Sequence, residues 1–235
     1  MSKVAIIGSG FVGRGWAINF SRAGHDVALW DQDLQAPEKA LTYIRGLLPD
    51  LEASDLLNGV AAQVVEARMR PAAALVASFG GAAHVQENTP KDAEVKRKVF
   101  AQLDAAAAPD GVLASSTLAI LPSDFTETLK GRARCLVVHP INPPYLIPAA
   151  EVVPAPWTDA VTVDRAASVL RSAGHAPIVM KREIHGFVMN SLQGRCSRRR
   201  FALWPKVTRA SRISTSDSAM ALPCASRSSV RSRIR

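Results

Sequence analysis

The stretch "VVHPINPPYLIPAAE", residues 137–151, places His139 at the end of an apolar run and Glu151 twelve positions later, with four prolines between them. An imidazole titrates near neutrality and is suited to accept the proton an alcohol loses on oxidation. A carboxylate that accepts a hydrogen bond from the second ring nitrogen fixes the tautomer and stabilises the imidazolium. Spacing alone leaves a competing reading open, a partly buried structural histidine beside a solvated glutamate. The remaining histidines lie in less informative settings: His25 and His175 in glycine turns, His84 and His185 at the borders of expected elements.

A second group of residues points to the oxidant. "GSGFVG", comprising Gly8, Ser9, Gly10, Phe11, Val12 and Gly13, follows a short apolar strand and opens a helical pattern, and Asp31 lies 23 residues beyond Gly8, after a second strand. Order and spacing are those of a dinucleotide-binding turn. Gly8 permits the tight turn, Gly10 lets the backbone approach a diphosphate, and Gly13 lets helix and strand pack. Loop amides and the helix N-terminus then face the phosphates. Asp31 suits a ribose hydroxyl and repels a 2′-phosphate, and no arginine follows in "DQDLQ", so NAD is expected rather than NADP. The plainer alternative is an ordinary glycine turn.

The elements that must position these residues are legible as alternating patterns. "KVAIIG", "HDVALWD", "AHVQEN", "GVLASS", "RCLVVH", "AEVVP" and "HAPIVM" read as strands. Helical spacing follows the glycine loop, and recurs in "PKDAEVKRKVFAQLDAAA" and from about residue 158 to 173. Residues 35–68 read as helical, with Pro49 expected to separate two helices. Residues 70–82 carry no assignable pattern. The alternation predicts an α/β, Rossmann-type, doubly wound and mostly parallel sheet, with ligands beyond the strands' C-terminal ends. His139 then emerges at that edge.

Charge divides the chain. The net charge is +9 over 235 residues, yet residues 195–235 hold eleven Lys or Arg, nine Ser and one acid, Asp217, leaving 18 basic against 19 acidic residues in the body. Domains are therefore expected at 1–182 (NAD-binding), 183–194 (the start of a helical domain) and 195–235 (a disordered basic tail). So abrupt a loss of acids is what out-of-frame translation of a GC-rich gene produces, and a shifted frame is the expectation. The rival reading is an Arg/Ser arm that binds nucleic acid through charge alone, which makes no specific nucleic-acid partner the expectation. Three widely spaced cysteines give neither a disulfide framework nor a metal site, and no metal is expected. Without a long apolar run or a signal-peptide pattern, a cytoplasmic protein with no membrane partner is expected.

Taken together, "GSGFVG", "VQENTP", "LASSTLAILPS", "HPINPPYLIPAAEVVP" and "GFVMNSLQG" resemble the 3-hydroxyacyl-CoA dehydrogenase family and, within it, the lambda-crystallin and L-gulonate 3-dehydrogenase branch, over residues 3 to about 194. The resemblance implies an NAD-dependent oxidation of a secondary 3-hydroxy group, on L-gulonate or a 3-hydroxyacyl-CoA, by a homodimer whose C-terminal helical domain completes the site. It also implies roles: His139 as base, Glu151 as its partner, Ser116 and Asn190 at the reacting oxygen, and Glu87 at the cofactor. Read without the family, Ser116 is a strand-end turn residue, Asn190 a satisfied polar residue on a helix, and Glu87 a solvated loop charge. The family's acid-containing helices do not follow residue 194, which leaves the faces near Phe187, Val188 and Leu192 without expected cover. An inactive NAD-binding fragment is thus a further alternative.

Overall fold

The computed structural model describes residues 2–195. The chain divides into two units, Met1–Phe187 and Val188–Arg235. In the second, residues 188–195 are helical.

The first unit is built on one eight-stranded sheet. Its strands are β1 (Lys3–Ile7), β2 (Asp26–Trp30), β3 (Met69–Pro71), β4 (Ala82–Glu87), β5 (Val112–Ser115), β6 (Cys135–Pro140), β7 (Ala149–Pro154) and β8 (Ala176–Val179), in the spatial order β3-β2-β1-β4-β5-β6-β7-β8. Neighbours run parallel except β6 and β7, which are antiparallel. The order reverses direction between β1 and β4, the switch point at which doubly wound sheets bind ligands. The inner strands are near-continuous apolar runs: Val4 to Ile7 and Leu136 to Val138 are fully buried, as strands covered on both faces must be.

Helices α1 (Phe11–Arg22), α2 (Ala36–Ala53), α3 (Ala62–Ala67), α4 (Leu75–Phe79), α5 (Ala93–Ala106), α6 (Pro122–Thr126) and α7 (Ala160–Ser172) connect the strands. Each long helix buries a stripe: Trp16, Ala17 and Phe20 on α1, and Ile44, Leu48 and Leu51 on α2, join one core cluster with Val4, Ile6 and Val138. Asp92 caps α5 by accepting a hydrogen bond from the Val95 amide at 3.0 Å.

Pro49 does not divide two helices, as its sequence position suggests; it lies inside α2. It sits on the exposed face, and the core-facing Leu48 and Leu51 continue the apolar stripe across it. Packing of that stripe outweighs the lost backbone hydrogen bond, a cost of about 3 kcal/mol in a helix interior. The break falls at residues 54–61 instead. The unassigned segment 70–82 contains the end of the three-residue β3 and the five-residue α4. Pro71 is tolerated because β3 is an edge strand.

Candidate active site

His139 and Glu151 meet through strand register. They are directly opposed partners in the antiparallel β6–β7 pair, so both side chains leave the same face of the sheet. His139 Nδ1 lies 2.8 Å from Glu151 Oε2. The glutamate is fully buried and the histidine nearly so. A solvated glutamate is therefore excluded. A carboxylate accepts here, so Nδ1 donates to Glu151 and Nε2 is the ring nitrogen left to face a ligand. The proline-rich segment is the connection that carries the chain from one strand to the next in this register. The Phe187 ring packs on His139 with centroids 5.7 Å apart. Phe187 is fully buried, which corrects the expectation that its face lacks cover. Gly186 and Phe187 both adopt positive φ, 74° and 47°. For phenylalanine that conformation costs on the order of 1 kcal/mol, which burial of the ring offsets.

The glycine loop joins β1 to α1. Gly8 has φ +91°, and a Cβ there would meet the Asn88 backbone at 2.9 Å; a Cβ on Gly13 would lie 2.0 Å from the Gly8 carbonyl oxygen. Both positions therefore require glycine. A Cβ on Gly10 would meet nothing within 4 Å, so the backbone there faces open space. Helix α1 has no side-chain cap and no acid in its first turn, which leaves its N-terminal amides to an anion. Buried Ser9 has a hydroxyl without a protein partner, and its amide donates to Asp31 Oδ2 at 2.7 Å. Phe11 is exposed at the rim and Val12 half-buried. An open glycine backbone, uncapped amides and a carboxylate at the end of β2 fit a dinucleotide diphosphate and its ribose.

Glu87 ends β4 and is buried, not a solvated loop charge. Lys96 Nζ lies 2.9 Å from both its oxygens, the Ser115 hydroxyl donates at 2.5 Å, the Thr89 amide donates at 2.6 Å and the Thr89 hydroxyl donates as well. Its carboxylate is thus engaged by protein donors in the wall beneath the loop. Ser116 follows β5, held by its amide on the Glu87 carbonyl at 2.8 Å. Its hydroxyl is ringed by Trp16, Gln86 and Asn88, three residues that sequence reasoning did not single out. The available signal was His84 and Gln86 spaced two apart, which puts two polar side chains on one face of an interior strand. Asn190 is half-buried in the helical segment of the second unit.

Strand order, glycine loop and terminal aspartate together define a dinucleotide-binding domain of the doubly wound class, with an oriented histidine at its sheet edge. The family model "3-hydroxyacyl-CoA dehydrogenase, NAD binding domain" matches residues 3–184. The chain belongs to the 3-hydroxyacyl-CoA dehydrogenase family, and its dinucleotide is NAD. It is 41% identical over 191 residues to the lambda-crystallin homolog of Bos taurus, and 37% identical over 191 residues to an L-carnitine dehydrogenase of Streptomyces griseus; these alignments take in 81% of this chain. The chain spans 60% of the first relative's length and 56% of the second's. The crystal structure of 3-hydroxybutyryl-CoA dehydrogenase from Escherichia coli superposes with a TM-score of 0.76 at 27% identity, covering 85% of this chain and 43% of the other. Among the described residues no helix is long and apolar enough to cross a membrane.

Proposed function

We propose that this protein catalyses the NAD-dependent oxidation of a secondary hydroxyl at C3 of a small carboxylic acid or its coenzyme A thioester. The observation that carries this reading is the buried His139–Glu151 pair at the sheet edge where β4, β5 and β6 also end. With Nδ1–H given to Glu151, Nε2 of His139 accepts the hydroxyl proton, and the buried carboxylate stabilises the resulting imidazolium. NAD, when bound at the glycine loop, supplies the hydride acceptor. Ser116 donates a hydrogen bond to the oxygen as it becomes a carbonyl. Asp31 holds the ribose hydroxyls and Gly8 to Gly13 admit the diphosphate. Glu87 acts on the cofactor indirectly, by fixing Thr89 and Ser115 beside the loop.

L-Gulonate and 3-hydroxyacyl-CoA are the substrates the resemblance favours, and the L-carnitine dehydrogenase relatives add a third 3-hydroxy acid. All three share a hydroxyl two bonds from the carbon that bears the carboxyl or thioester. NADH formation from NAD with each, followed by absorbance in the wild-type chain and in His139→Gln, tests the reading. Turnover on at least one, abolished in the variant, supports it; undiminished turnover in His139→Gln refutes the base.

The match to an NAD binding domain over residues 3–184 supports one further reading, NAD binding without turnover. Tight NAD binding by calorimetry with no NADH formation on any of the three substrates would select it. For residues 195–235, which lie outside the described residues from 196 on, we propose a shifted reading frame. Family-like helical sequence in another frame of the coding DNA would support that, and its absence would refute it.

A further inference from the structure

The Ser116 hydroxyl is surrounded on every hydrogen-bonding direction. Trp16 Nε1–H donates to its oxygen at 3.0 Å, the Gln86 amide donates at 2.7 Å, and the hydroxyl donates to Asn88 Oδ1 at 2.8 Å. A hydroxyl has two lone pairs and one proton. Both lone pairs are taken.

The direction of these bonds is fixed by backbone carbonyls at either end. Gln86 Nε2 also donates to the Val138 carbonyl at 3.2 Å, which only an amide nitrogen can do. Its Oε1 therefore faces His84, whose Nε2 lies 2.9 Å away and must carry the proton. At the other end, Asn88 Nδ2 donates to the carbonyls of Ile7 at 3.3 Å and Gln86 at 2.8 Å. Its Oδ1 is thereby turned to Ser116. No member can be reversed without setting two acceptors or two donors against each other.

We propose that Trp16 and Gln86 are positioning residues that make Ser116 a donor-only hydroxyl, so that the site accepts at C3 only an oxygen able to receive a hydrogen bond. The proposal rests on the reading that Ser116 contacts the reacting oxygen. A substrate hydroxyl gives its own proton to His139 and receives one from Ser116; a ketone receives the same bond, with no reorientation as the carbonyl forms. Asn88 is the resting acceptor that the ligand replaces. A protonated 3-amino acid, with three N–H donors and no lone pair, finds no acceptor on Ser116 and is excluded.

The test uses the full chain with NAD, which cannot reduce the ketone, and acetoacetate or acetoacetyl-CoA as probe, read by calorimetry. Ser116→Ala should weaken probe binding 5- to 50-fold without changing NAD affinity. Gln86→Met and Trp16→Phe, which delete one donor each, should weaken it several-fold in the same manner. The Ser116→Ala/Gln86→Met double variant should bind no worse than Ser116→Ala alone, a coupling that general loosening of the fold would not produce. Protonated 3-aminobutyrate should not compete in wild type and should gain measurable binding in Gln86→Met, where a lone pair is freed. If Ser116→Ala weakens the probe but Gln86→Met and Trp16→Phe do not, the positioning role is overturned and the parent reading stands. A probe that ignores Ser116→Ala, or fails to bind wild type at all, overturns the parent reading and this one with it. Should Trp16→Phe fail to fold, Gln86→Met and the amine arm decide alone.

Discussion

His139 and Glu151 are cross-strand partners, opposed in register at 2.8 Å although proline-rich chain separates them in sequence. Such a pair is as rigid as the sheet that carries it. Replacing the carboxylate by an amide keeps an acceptor for Nδ1–H but removes the charge that stabilises the imidazolium, and offers an N–H that can turn to Nδ1 and select the wrong tautomer. Glu151→Gln is expected to lower kcat about 10- to 100-fold with little change in KM, and His139→Gln about 100- to 10,000-fold. Initial rates of NADH formation on the productive substrate check both. Circular dichroism must show the variants folded, since a rate lost with the fold says nothing of the pair.

Two glycines of one loop should separate stability from binding. At Gly13 a methyl would lie 2.0 Å from a backbone oxygen that cannot retreat without moving β1, so Gly13→Ala should lower the melting temperature and abolish NAD binding together. At Gly10 the methyl meets no protein atom, and φ is −68°, which alanine adopts freely. Gly10→Ala should change stability by less than about 0.5 kcal/mol, yet cut NAD affinity at least about tenfold by filling the diphosphate's approach. Thermal melts beside NAD titrations would show the contrast, and equal loss of both properties in the two variants would refute it.

The cofactor half of the site was legible in sequence because it is local: Gly8 to Gly13 and Asp31 lie within one β-α-β unit, where spacing fixes geometry. The pair His139–Glu151 was half legible. Its chemistry follows from residue types, but its geometry depends on β7 turning back antiparallel, which no local pattern states. Trp16, Gln86 and Asn88 went unread because each joins Ser116 across 28 to 100 residues, and separation of that kind carries no periodic signal. Pro49 is the opposite case: the local rule that proline ends a helix yields to a tertiary stripe, Ile44, Leu48 and Leu51.

Lys96 and Glu87 form an ion pair almost without solvent contact. Removing one partner strands the other charge, a loss of about 3–5 kcal/mol. Lys96→Met should therefore lower the melting temperature by roughly 10 °C, and adding Glu87→Gln should recover part of that by deleting the orphaned charge. Differential scanning calorimetry of the single and double variants decides. A double variant as unstable as the sum of the singles would mean that the two side chains act independently.

Burial pushes the pKa of His84 down to about 4, and burial together with the nearby Arg22 does the same for His175. Both are neutral in the folded protein at pH 7, and both titrate near 6.5 when unfolded. Between those values the unfolded chain binds protons that the folded one refuses, so stability falls as pH drops from about 6.5 to 4 and levels off below. Each ring contributes a slope of up to about 1.4 kcal/mol per pH unit across that window. Urea unfolding at pH 7.5, 6 and 5 should show the decline. His84→Gln, which keeps a donor for Gln86 but cannot titrate, should flatten the decline by about one proton's worth, while an unchanged slope would place the proton uptake elsewhere.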